Sequence, residues 1–124
     1  MKNLIIASTS TIHGGKYLNY LTDELQNHFS NLSELLFIPY ARPGGISHDK
    51  YTAIANEFFK TIGIKVKGIH EFISPKDAIK NAQGIFTGGG NTFVLIKQLY
   101  HFRVARRLFS ETASGFFGKA ARFR

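Results

Sequence analysis

A chain of 124 residues with no cysteine, 44% hydrophobic and 14% aromatic, has the make-up of one ordinary globular domain, which excludes disulfides, thiolate metal sites, a cysteine nucleophile and the disordered and fibrous classes. The formal charge of +8 is uneven: residues 1–100 hold ten Lys/Arg against seven Asp/Glu, a balance of +3, and residues 101–124 hold six against one, a balance of +5. The excess belongs to a short C-terminal stretch, so the body carries no nucleic-acid or membrane signature.

The opening run Leu4-Ile5-Ile6-Ala7-Ser8 is too short for a secretory core or a membrane span and reads as a first buried strand of a cytoplasmic protein. A polar loop, Ser8-Thr9-Ser10-Thr11-Ile12-His13-Gly14-Gly15, follows it. Tyr17, Leu18, Leu21, Leu25 and Phe29 recur at helical spacing and predict a surface helix lying on a sheet. Leu35-Leu36-Phe37-Ile38 is a continuous apolar run of the kind buried on both faces, stopped by Pro39 and the loop Tyr40-Ala41-Arg42-Pro43-Gly44-Gly45. Ser47 or Asp49 can cap a second helix whose stripe is Tyr51, Ile54, Ala55, Phe58, Phe59 and Ile62. Ile64, Val66 and Ile69 predict a third strand, alternating with Lys65 and Lys67. Ser74-Pro75-Lys76-Asp77 has the form of a cap followed by proline at the first helical position, with Ala78, Ile79 and Ala82 facing inward. A fourth strand, Ile85 to Thr87, runs into Gly88-Gly89-Gly90, after which Asn91 or Thr92 caps a helix carrying Phe93, Leu95, Ile96 and Leu99.

Four strands alternating with four helices imply right-handed crossovers and a mostly parallel, flavodoxin-like doubly wound sheet with helices on both faces. Ligands of such sheets bind beyond the carboxyl ends of the strands, where Ser8-Thr9-Ser10, Tyr40-Ala41-Arg42 and Gly88-Gly89-Gly90-Asn91 converge. The triple glycine fits either a tight turn or a backbone shaped to approach a ligand. Neither G-x-G-x-x-G nor G-x-x-x-x-G-K-[ST] is present, but free N–H groups at a helix start can hold an anion or receive the charge of a tetrahedral intermediate. The five histidines lack zinc-site spacing. His13 and His70 are the two placed to line the ligand edge, and Arg42 is placed to meet an acidic substrate or simply to be solvated.

Gly88-Gly89-Gly90-Asn91-Thr92-Phe93 at a strand–helix junction, Phe37-Ile38-Pro39-Tyr40-Ala41, Tyr51-Thr52 and Val66-Lys67-Gly68-Ile69-His70 occur in an order and at spacings that resemble the peptidase E family of serine peptidases. These α-aspartyl dipeptidases have a fold similar to that of class I glutamine amidotransferases, and the resemblance covers about residues 3–100. It implies a cytoplasmic enzyme that hydrolyses dipeptides with N-terminal aspartate by a serine on a strand-to-helix elbow and a histidine further along. It also implies that Gly88, Gly89 and Gly90 form the oxyanion hole; the position of their loops at the carboxyl ends of the strands places Asn91, Ser10 and Arg42 on the substrate edge.

The nucleophile expected from the family does not appear among these residues. Thr112-Ala113-Ser114-Gly115-Phe116 lacks the outer glycines of a G-x-S-x-G elbow, so Ser114 reads as a loop serine, and no further strand is evident after Tyr100. The chain therefore reads as the N-terminal part of a peptidase E-like domain, 1–100, followed by a divergent basic tail, 101–124. That tail holds five of the twelve phenylalanines and has the look of a frameshifted end or, alternatively, of a divergent helix on Val104, Leu108 and Phe109. The expectation is an inactive fragment with no catalytic residue, metal or cofactor of its own, whose partner is a small peptide and neither nucleic acid nor membrane. A sheet cut after four strands would leave an uncovered edge that invites self-association. The rival is a non-catalytic small-molecule or anion-binding module using the same loops; a basic tail that contacts nucleic acid or membrane ranks behind both.

Overall fold

The computed structural model describes residues 4–7, 13–42, 46–102 and 120–123. The elements are β1 (Leu4–Ala7), α1 (Thr22–His28), β2 (Glu34–Ile38), α2 (His48–Lys60), β3 (Lys65–Gly68), α3 (Pro75–Asn81), β4 (Ile85–Thr87), α4 (Thr92–His101) and β5 (Ala120–Phe123). All pairings are parallel, in the order β1-β5-β4-β2-β3.

The α/β class and the flavodoxin-like winding are as the alternation predicts, but the sheet has five strands where four were expected. The additional strand, β5, enters between β1 and β4, with Ala120 in register with Leu4 and Ile85. It fills the edge that a four-strand sheet would have left beside β4. The outer strands among the described residues are β1 and β3, and β3 carries exposed Lys65 and half-buried Lys67, charges that discourage edge-to-edge pairing. From β2 onward the chain steps outward to β3, returns over β2 to β4, and continues to β5. The direction of winding thus reverses between β2 and β4, which makes their carboxyl ends the switch point where this architecture opens a crevice.

Alternation along β2 divides the core. Leu35 and Phe37 join Leu25, Phe29, Tyr51, Ala55, Phe59 and Phe86 on one face, while Leu36 and Ile38 join Ile69, Ile79, Ile85, Leu95 and Leu99 on the other. α1 and α2 therefore cover one face and α3 and α4 the opposite one. The anticipated caps form: Ser47 Oγ accepts from Lys50 N–H at 3.1 Å, and Ser74 Oγ accepts from Asp77 N–H at 3.3 Å ahead of Pro75.

Three local expectations change. The first helix begins only at Thr22, because Leu18 sits at φ 58 in the left-handed region and Asn19–Leu21 forms a 3-10 turn. Leu18 is fully buried, so side-chain burial, worth about 1.5–3 kcal/mol, offsets a backbone cost of about 1–2 kcal/mol. β3 ends at Gly68, and Ile69 opens a 3-10 turn that carries His70. On α4, Leu95 and Leu99 are buried but Phe93 and Ile96 are exposed. No helix among the described residues is long and apolar enough to cross a membrane.

Candidate functional site

The loops after β2 and β4 interlock at the switch point. Gly88 N–H donates to the Ile38 carbonyl at 3.2 Å, and Asn91 N–H donates to the Ala41 carbonyl at 2.6 Å. From the core side the Tyr51 hydroxyl of α2 donates to the Gly89 carbonyl at 2.9 Å. The Asn91 side chain then caps α4, its Oδ1 accepting from Phe93 N–H at 2.9 Å and Val94 N–H at 3.1 Å.

Two of the glycines are demanded by this packing. A Cβ on Gly88 would lie 2.5 Å from the Tyr51 hydroxyl, so the ring occupies the place of a side chain. Gly90 has φ +148, and a Cβ there would lie 2.3 Å from the Ala41 carbonyl oxygen.

With Gly88 N–H and Asn91 N–H engaged by β2 and its loop, the N–H groups of Gly89 and Gly90 are the two in the loop that have no hydrogen-bond partner among the described residues. Gly89 is buried and Gly90 exposed, so the pair runs from the floor of the loop to its surface. Two amides without a partner among the described residues, beside a capped helix start, have the chemistry to receive an anion, since the partial positive charge of the helix adds to that of the donors.

Arg42 is brought to this loop. It is exposed, and its guanidinium carbon lies 5.0 Å from the centre of the Tyr51 ring, the same ring that holds Gly89. Asn91 stands at the edge, with its carbonyl oxygen occupied by the cap. Ser10 and Ser114 lie outside the described residues. His13 is exposed.

His70 belongs to a neighbouring cluster at the start of α2. Its Nε2 is 2.7 Å from Asp49 Oδ1, and its ring centre is 5.5 Å from that of His48, which is in turn 5.5 Å from Tyr40. Burial and the nearby His70 hold His48 below the usual imidazole pKa, against the opposing pull of Asp49. Tyr40, stacked on Phe102 at 5.3 Å, is pushed up to about 12 by burial. Among the described residues no three His, Asp or Glu side chains are placed to hold a metal ion.

The sequence places Tyr51 in the helical stripe and in the family phrase Tyr51-Thr52, but gives it no role at the glycine loop. The available signal was a hydroxyl in a position otherwise suited to Phe, because a buried tyrosine needs a hydrogen-bond partner. Tyr17 lies edge-on to the same ring, 6.5 Å between centres, and its phenol is pushed upward first by burial and then by the adjoining Tyr51.

Comparison with known proteins identifies the family and the fold. The family model of peptidase family S51 matches residues 4–117, extending past Tyr100 where the recognised motifs end. A Drosophila melanogaster protein named as a probable alpha-aspartyl dipeptidase is 39% identical over 105 residues, covering 83% of this chain and 42% of that protein. Peptidase E of Shewanella denitrificans is 33% identical over 113 residues, covering 91% of this chain and 48% of that protein. The chain spans about half the length of the curated relatives it matches. Two crystal structures share the fold, each with TM-score 0.68: a candidate peptidase E from Listeria monocytogenes EGD-e, 21% identical and covering 98% of this chain and 57% of that one, and a peptidase from an acI-B1 Actinobacterium, 15% identical and covering 99% and 53%.

Proposed function

Because this chain belongs to peptidase family S51, we propose that it supplies the oxyanion-receiving part of a serine dipeptidase that cleaves dipeptides with N-terminal aspartate in the cytoplasm. The observation that carries the reading is the pair of amides without a partner among the described residues, Gly89 N–H and Gly90 N–H, on a loop held from three sides at the switch point of the sheet. When a serine hydroxyl attacks the scissile carbonyl, the carbonyl oxygen gains negative charge, and donors already in place stabilise it without further reorganisation. A single donor of this kind is worth roughly 3–4 kcal/mol, or about 10²–10³ in kcat. Gly88, whose N–H is bonded to β2, serves by giving Tyr51 room, so the donor role narrows to Gly89 and Gly90.

Arg42, exposed beside the loop, is the cation for the acidic side chain of the substrate. No serine–histidine pair placed for acyl transfer is present among the described residues, and residues 1–124 alone are expected to give no turnover of an aspartyl dipeptide or anilide. Turnover abolished by Ser114→Ala would overturn that expectation. The wider proposal is tested by grafting residues 1–100 in place of the matching segment of Shewanella denitrificans peptidase E. A folded graft that hydrolyses Asp-Leu supports it, and a folded graft without activity on any N-terminal aspartyl dipeptide sinks it.

A further inference from the structure

Resting on the reading of the glycine loop as an oxyanion site, we infer that Tyr51 is the positioning residue that aims the Gly90 donor. A trans peptide is planar, so its carbonyl and its N–H point in opposite directions. The Gly89 carbonyl and the Gly90 N–H belong to one such peptide, and the loop contains no cis bond. Because the Tyr51 hydroxyl draws that carbonyl toward the core at 2.9 Å, the Gly90 N–H is turned away from the core, toward the exposed side of the loop. The next peptide is fixed independently by Asn91 N–H on the Ala41 carbonyl at 2.6 Å, and the peptide before Gly88 by its N–H on Ile38. Tyr51 thus holds the plane between two fixed points.

The anchor is itself well held. Tyr51 is 1% exposed, stands edge-on to Phe37 at 5.1 Å and lies under the Arg42 guanidinium at 5.0 Å. A phenylalanine at 51 fills the same core volume, so its loss is confined to the hydroxyl. The Gly89 carbonyl then has no partner among the described residues, and a peptide flanked by glycines on both sides is free to rotate.

The test uses the isotope-labelled 124-residue chain and its Tyr51→Phe variant. The residual dipolar coupling of the Gly90 N–H is expected to change in the variant while the couplings of the β2 and α2 amides hold. Alongside it, the affinity of the Gly90 amide for inorganic sulfate is expected to weaken roughly tenfold, as for loss of one aligned donor to a charged group. An unchanged Gly90 coupling in folded Tyr51→Phe overturns the inference. Should the variant fail to fold, the native chain decides: a Tyr51 hydroxyl proton protected from exchange and in contact with the Gly89 α-protons supports the anchor, and a rapidly exchanging one refutes it. If sulfate leaves both Gly89 and Gly90 amides of the native chain unmoved, the oxyanion reading fails, whereas the role of Tyr51 is decided by the coupling alone.

Discussion

Replacing Gly90 by alanine isolates the contact between the two loops. The new Cβ would stand 2.3 Å from the Ala41 carbonyl oxygen and 2.8 Å from its carbon, where ordinary contact begins at 3.4 Å. Both are backbone atoms, so no side chain can swing aside, and Ala41 must retreat by roughly 1 Å. That movement removes the Asn91 N–H bond to the same carbonyl, worth about 1 kcal/mol. The φ of +148 adds about 1–3 kcal/mol of backbone strain for any residue with a Cβ. Together these predict a loss of roughly 3 kcal/mol in urea unfolding. Gly14→Ala is the internal reference: Gly14 has φ +76 with nothing within 4 Å of its added Cβ, so that substitution carries only the backbone part, about 1–2 kcal/mol. The reasoning is refuted if Gly90→Ala lowers stability no more than Gly14→Ala does.

Asn91→Ala removes the acceptor of two amides at the start of α4 and is expected to cost about 1 kcal/mol, with Asn91→Ser restoring most of it; equal stability of all three chains in urea would remove the cap from the argument. His48 makes a pH-dependent contribution. Its folded pKa lies below the ordinary 6.5, so the unfolded chain takes up the proton first, and stability falls as pH drops through 6.5 toward the folded value. His48, facing Tyr40, His70 and Asp49, is replaced in His48→Gln, which should flatten that part of the stability profile between neutral and mildly acidic pH. Superimposable profiles for the two chains would contradict the shift.

Much of this fold is legible in local chemistry. The cap residues Ser47, Ser74 and Asn91 stand where short polar side chains precede apolar periodicity, and each accepts the amide bonds expected of it. β2 is legible because four consecutive apolar residues fit a strand covered on both faces. β5 is not, since Ala120-Ala121-Arg122-Phe123 has neither β-branched content nor alternation, and its place is defined by backbone pairing with β1 and β4. The first helix shortens for a reason spacing cannot reveal: Leu18 reaches the core only through a left-handed backbone.

The site divides in the same way. The triple glycine before a cap residue marks the loop, but which amides remain free depends on carbonyls of β2 and its loop, about fifty residues earlier in the chain. The partner of Gly89 is likewise 38 residues away, on a helix whose Tyr51 belongs to a recognised phrase but carries no local sign of which carbonyl its hydroxyl reaches.

The central claim is that the Gly89–Gly90 segment receives charge that exists only in the transition state. It is tested most directly by introducing Gly90→Ala into the graft of residues 1–100 on Shewanella denitrificans peptidase E and separating kcat from KM for Asp-Leu. A displaced donor predicts a fall in kcat of roughly 10²–10³ with KM nearly unchanged. A folded variant that keeps its kcat, or loses activity through KM alone, would contradict it.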